Sequence, residues 1–214
     1  GYDAGPKTWD ELRALGVRAW LATTFGGVLF QTLVHIAVTS LWVLPVIGAR
    51  SRVLVVFALA SGLLHLGLSH FFWYEWTQTH RTIDGGPLGF LTWTVPTLAG
   101  ALAYDLLTAR GARGALRPLL GWGACLMVGG YALSCMNAVS REFATGPTSA
   151  GIGRWLIEPP FFPPRTPVDL WTMSQKAGTL SYLTFGAGLS LALYAAFIRI
   201  CDLGGRSLGV FRTL

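Results

Sequence analysis

The sequence predicts an all-α fold, a polytopic transmembrane bundle of about five membrane-spanning helices. Three observations predict it: a scarcity of charge, the gathering of apolar residues into long uncharged runs, and short arginine-bearing turns between those runs. Hydrophobic residues make up 52% of the 214 residues and Lys, Arg, Asp and Glu together only 12%. That charged share is about half the usual value for a soluble domain and cannot cover a soluble surface. Residues 19–49, 53–74, 85–104, 118–140 and 177–198 contain no Lys, Arg, Asp or Glu. Each run is about 20 residues or longer, enough to cross a hydrocarbon layer of roughly 30 Å as a helix. Backbone polar groups must pair internally in lipid, so such runs are helical. The expected helices are 19–48, 53–74, 86–108, 117–140 and 174–200, in a single transmembrane domain over 1–214 read as the C-terminal part of a larger multi-pass protein.

Thr8-Trp9-Asp10-Glu11 precedes the first run and matches a capping box. With Trp9, Leu12 and Leu15 it predicts a short helix at the membrane interface. Roughly thirty residues between the fourth and fifth runs carry Pro159-Pro160 and Phe161-Phe162-Pro163-Pro164. Closely spaced prolines forbid a regular helix, and apolar rings seek burial. The expectation is a long ordered extracytoplasmic loop, a lid held down by Phe161, Phe162 and Trp171.

Alternation assigns Arg50, Arg52, Arg110, Arg113, Arg117, Arg199, Arg206 and Arg212 to one side, with Asp105 and Asp202 its acids. Lys and Arg concentrated near helix ends mark the cytoplasmic side. The expected protein is therefore integral and multi-pass, with the arginine-rich turns and the C-terminus cytoplasmic. The net charge of +6 is the sum of these anchors, and no basic stripe with interleaved aromatics predicts nucleic acid as a partner. Expected partners are the lipid bilayer and other transmembrane helices or subunits. Cys125, Cys135 and Cys201 form no CxxC pair and no Cys/His metal spacing, so no metal is expected.

Polar residues within the runs are the intramembrane candidates. Gln31, His35 and Thr39 recur every fourth residue, as do Ser61, His65 and Ser69. Each set makes one stripe that should face the bundle interior. Inter-helix hydrogen bonding accounts for such stripes; a catalytic base or a cofactor ligand is the functional alternative. His70, near a helix end, is expected to reach the interface. Arg110, Arg113 and Arg117 serve as anchors, or else clasp the phosphates of a cytoplasmic cofactor, since guanidinium forks suit phosphate oxygens. Gly100, Gly121, Gly123, Gly129, Gly130, Gly178, Gly186 and Gly188 let helices approach closely.

Three stretches carry a resemblance. Ile83-Asp-Gly-Gly-Pro-Leu-Gly-Phe-Leu-Thr-Trp-Thr-Val-Pro opens the third run, Pro167-Val-Asp-Leu-Trp-Thr-Met-Ser precedes the fifth, and Cys201-Asp-Leu-Gly-Gly follows it. With Gly27-Val-Leu-Phe-Gln-Thr they resemble the later half of the heparan-α-glucosaminide N-acetyltransferase family of membrane acyltransferases and its bacterial relatives. The resemblance implies acetyl transfer from cytoplasmic acetyl-CoA, a co-substrate and not a tightly bound cofactor, to an amino sugar or related acceptor across the membrane. Carried over by motif, Asp84, Gly85, Trp171, Thr172 and Ser174 line the substrate pocket, and Arg110, Arg113 and Arg117 become the CoA-phosphate contacts. The family's proposed catalytic His lies in an earlier loop, so no residue here takes that role, and Val168-Asp169 stands where the family has Asn-Lys. Two other readings stay open: a non-catalytic transmembrane subunit of a larger complex, and a haem or chlorophyll-type binder ligated by His35, His65 or His70.

Overall fold

In the computed structural model the described residues are 8–23, 32–80, 82–145, 156–157 and 167–204. Every regular element among them is helical. Three helical stretches are long and apolar enough to cross a membrane: Ser51–Thr79, Gly86–Glu142 and Leu180–Asp202.

The chain opens with α1 (Trp9–Leu15), where the Thr8 hydroxyl accepts from the Glu11 N–H at 3.2 Å, as the capping pattern predicts. It stops at Gly16, whose φ of +82° suits glycine, and α2 (Val17–Thr23) follows. Helix α3 spans Thr32–Val43. The predicted helix 19–48 is thus represented by α2 and the shorter α3, with 24–31 outside the described residues; Pro45 lies in the turns that follow α3. Helix α4 runs over Ser51–Thr79, five residues beyond the expected end. Its Ser69–Trp73 segment is a π-turn, and the extra residue in that turn re-aims the side chains that follow.

The third and fourth runs join into one helical stretch with a single break at Gly111 (φ 66°, ψ 172°). Where the sequence predicted a polar turn of several residues, one glycine suffices. A straight helix of this length would be about 85 Å long, but contacts with the last helix show that the chain turns back. Call the two arms α5 (90–110) and α6 (112–145), and the last helix α7 (Leu180–Asp202). Thr92 at the start of α5 donates to the Gly178 carbonyl at 2.7 Å, and Gly100 to Tyr104 line a cleft with Ala187 to Tyr194. Numbers rise together, so α5 is parallel to α7. On α6, Gly123 meets Ala192, Met127 meets Gly188 and Gly130 meets Phe185; numbers run oppositely, and α6 is antiparallel. The hairpin α5–α6 therefore clasps α7.

Glycines make that clasp possible. A Cβ on Gly188 would lie 2.5 Å from the Gly123 carbonyl oxygen, and one on Gly130 would lie 2.5 Å from the Phe185 nitrogen. Near the turn, Ala103, Ala115, Leu119, Leu191, Ala195 and Ile198 form one buried cluster. A second cluster, Val43, Leu54 and Leu98, joins α3 and α4 to the middle of α5. These contacts put the α3–α4 turn, the Gly111 turn and the end of α7 at one end of the bundle. The opposite end holds Thr32, Trp73, residues 82–89 and residues 167–179.

Candidate functional site

The second of these ends carries the polar chemistry. Residues 82–89 form a tight loop in which Asp84, Gly85 and Gly86 all have positive φ (57°, 86° and 60°). Asp84 is the one non-glycine residue with positive φ among the described residues, a conformation Asp tolerates better than most L-residues. The loop packs backbone to backbone on residues 175–179. A Cβ on Gly178 would lie 2.8 Å from the Gly85 Cα, and the Gly85 N–H donates to the Lys176 carbonyl at 3.1 Å. No side chain fits between the two loops, so Gly85 and Gly178 are required by close approach as well as by φ.

At this junction Asp84 is 3% exposed. Its Oδ2 accepts from the Thr32 hydroxyl at 3.2 Å and its Oδ1 from Gln175 Nε2 at 3.1 Å. Its backbone carbonyl accepts from Trp93 Nε1, and that of Gly85 from Trp73 Nε1. His35 of α3 is buried beside it, facing the Ile83 backbone and the Asp84 carboxylate. Its ring lies 6.5 Å from that of Trp93 at an interplanar angle of 27°, and its Cε1 touches the space a Cβ of Gly89 would need. An imidazole and a carboxylate, drawn from α3 and the 82–89 loop, thus share one buried site. Gln175, itself exposed, separates that carboxylate from the surface.

A second polar network adjoins it. Asp169 Oδ1 accepts from the Trp171 and Thr172 N–H groups at 2.9 and 3.1 Å, an Asx-type turn. Asn137 Nδ2 on α6 donates to the Thr172 hydroxyl at 2.8 Å and to the Pro167 carbonyl at 3.0 Å. Ser134 accepts from the Met173 N–H, and Ser181 donates to the Trp171 carbonyl. Asp169 here organises a turn. Ser174 and Thr179 close the segment, and α7 begins at Leu180, later than the expected 174 because residues 175–178 are spent on the turn against Gly85.

The structure therefore brings together Asp84, Gly85, Trp171, Thr172, Ser174 and His35 at one end of the bundle. Trp171 and Ser174 are half-buried and Thr172 is buried. His65 lies elsewhere, in the interior of α4, with its Nδ1 3.4 Å from the Ser69 hydroxyl and no hydrogen-bond partner for Nε2 among the described residues. The stripes Ser61, His65, Ser69 and His35, Thr39 face inward as expected, each residue under 10% exposed. His70 is exposed and stacks edge-on with Phe71. Gln31, Phe161 and Phe162 lie outside the described residues, and with them most of the expected lid. Arg110, Arg113 and Arg117 are exposed around Gly111, about 30 Å along α5 from the Asp84 loop. Sequence reasoning missed Thr32, Gln175 and Asn137. Only Gln175, next to the Trp171-Thr172 motif, carried a signal, because the other two are read as ordinary polar helix residues until their partners are known.

Compared with protein families, with curated proteins and with solved structures, the chain gives no match.

Proposed function

We propose that this chain is the membrane-embedded part of an acyltransferase-like protein that binds acetyl-CoA at the arginine end and an amino sugar or related acceptor at the Asp84 end. Cleavage of the thioester, release of CoA as the thiol and formation of the amide with loss of the amine proton fall to catalytic groups that this reading does not assign to the described residues. The observation that carries the reading is the separation of two chemistries along one helix. Exposed guanidinium groups suited to CoA phosphates stand at one end of α5, and a buried carboxylate with an imidazole beside it stands at the other. An acceptor amine is cationic at neutral pH, and a carboxylate is the group that attracts it; displacing the exposed Gln175 side chain would open the way to Asp84. In this reading the chain crosses the bilayer five times, with α4, α5, α6 and α7 in four of the crossings and α3 in the remaining one. The arginine end is cytoplasmic by the positive-inside rule.

Two measurements test it. In intact cells, a membrane-impermeant thiol reagent should modify Lys176→Cys and spare Arg113→Cys, in a background with Cys125, Cys135 and Cys201 replaced by Ala. The opposite labelling would reverse the orientation. For the donor, equilibrium dialysis of purified protein against CoA should show binding that weakens severalfold from about 0.1 M to about 1 M salt, as the screening length falls from about 10 Å to about 3 Å. Binding should be lost in Arg113→Gln/Arg117→Gln. Salt-independent binding, or none, rules the donor site out.

A non-catalytic subunit of a larger membrane assembly is the second reading. It is favoured by the broad apolar face that α3 and α4 leave open, where Leu33, Leu41, Val56, Leu63 and Phe71 are all more than 60% exposed. It predicts no CoA binding. For a haem or chlorophyll-type ligand, His35 and His65 are both buried between helices that a planar macrocycle would have to separate, which leaves the exposed His70 as the accessible ligand of the three.

A further inference from the structure

Between α5 and α7 runs an apolar cleft of about 280 Å³, lined by Pro96, Gly100 and Tyr104 on one helix and Ala187, Leu191 and Tyr194 on the other. It exists because Gly100 contributes no side chain: a Cβ there would find nothing within 4 Å. Gly100 and Tyr104 are exposed on its outer edge, so the cleft opens sideways, towards lipid, and belongs to neither polar site described above.

One end of the cleft points to the arginine end of the bundle. Arg110 lies about 15 Å beyond Gly100 along α5, and Arg199 about 12 Å beyond Leu191 along α7. Ile198 is buried in the same cluster as Ala115 and Leu119, which holds Arg199 at the level of the Gly111 turn. Both guanidinium groups are exposed, and the arginines of that end outnumber its two acids, Asp105 and Asp202. We propose that the cleft holds one acyl chain of an anionic phospholipid whose phosphate pairs with Arg199 and Arg110. The distances suit a lipid, whose chain spans one leaflet, about half of a hydrocarbon core of roughly 30 Å. Basic groups between transmembrane helices next to an apolar slot select anionic headgroups. A helix is about 10 Å across with its side chains and cannot enter a cleft of 280 Å³, whereas a hydrocarbon chain can. The proposal needs membrane insertion but not acyl transfer.

Native mass spectrometry of the purified protein, given equal amounts of phosphatidylglycerol and phosphatidylcholine, tests it. The expected result is one retained phosphatidylglycerol, favoured about thirtyfold, as two basic contacts would give. Gly100→Leu fills the cleft without a backbone clash, and Arg199→Gln removes a headgroup contact while leaving the proposed CoA contacts at Arg113 and Arg117 in place. Each should reduce retention severalfold, with circular dichroism and thermal midpoint unchanged. Equal retention of the two lipids overturns the proposal. So does an unchanged Gly100→Leu, which would mean headgroup attraction alone, and so does a second copy of the chain that disappears in Gly100→Leu. CoA binding that survives both variants keeps the two proposals separable.

Discussion

Gly188→Val is expected to destabilise the bundle by about 2–4 kcal/mol, while Gly129→Ala, on α6 just past the Met127 that Gly188 meets, stays within about 0.5 kcal/mol of the parent. At Gly188 a Cβ would stand 2.5 Å from the Gly123 carbonyl oxygen and 2.6 Å from the Met127 nitrogen. Both are backbone atoms that cannot step aside, so α6 and α7 would have to separate along the whole line from Gly123 to Gly130. At Gly129 nothing lies within 4 Å of the added carbon, and alanine also has the better helix propensity. In a membrane the separation removes packing that no hydrophobic force restores, since lipid tails are as apolar as the side chains. Reversible unfolding in mixed micelles with increasing SDS reads the difference. Equal midpoints for the two variants would show that the hairpin does not clasp α7 as described.

The pair also shows how much of the fold the sequence carries. Long uncharged runs predicted the helices because length and apolarity are local properties, and the capping of α1 by Thr8 was legible for the same reason. The glycine positions promised close packing, yet Gly129 and Gly130 are neighbours with opposite roles. Which one faces α7 depends on helix rotation, and rotation is set by tertiary contacts. The same limit applies to the site. Asp84, Gly85 and the Trp171-Thr172-Ser174 segment were singled out by motif and His35 by its stripe, but nothing in the sequence placed His35 against Asp84. That meeting depends on α3 crossing the 82–89 loop at Gly89, where the imidazole occupies the space any side chain would take. The helix ends moved for physical reasons too. A single glycine with φ +66° reverses the chain at 111, so no separate polar loop is needed.

Substitutions at Asp84 should separate its conformational role from its charge. Asp84→Asn is expected to fold with stability within about 1 kcal/mol of the parent, because asparagine also accepts the left-handed conformation. Its amide oxygen still accepts from Gln175, and its NH2 can donate to the Thr32 hydroxyl, which turns from donor to acceptor. Asp84→Gly keeps φ at +57° without strain but leaves Thr32 and Gln175 without their acceptor, at about 1–3 kcal/mol if both stay buried. Because Thr32 and Gln175 are both exposed and can turn to water, the lower part of that range applies. Asp84→Ala loses the same two bonds and adds about 1 kcal/mol or more for a Cβ in the left-handed region. The expected order of stability is therefore Asp, Asn, Gly, Ala, read from the same SDS titration. Activity should follow a different order. If the carboxylate attracts the acceptor amine, Asp84→Asn should lose nearly all acceptor-dependent release of CoA from acetyl-CoA while keeping the parent's fold. The activity measurement uses the full-length protein in membranes. An active Asp84→Asn would leave the loop geometry intact and remove the carboxylate from the proposed chemistry, whereas equal stability of the Gly and Ala variants would show that the positive φ imposes no strain.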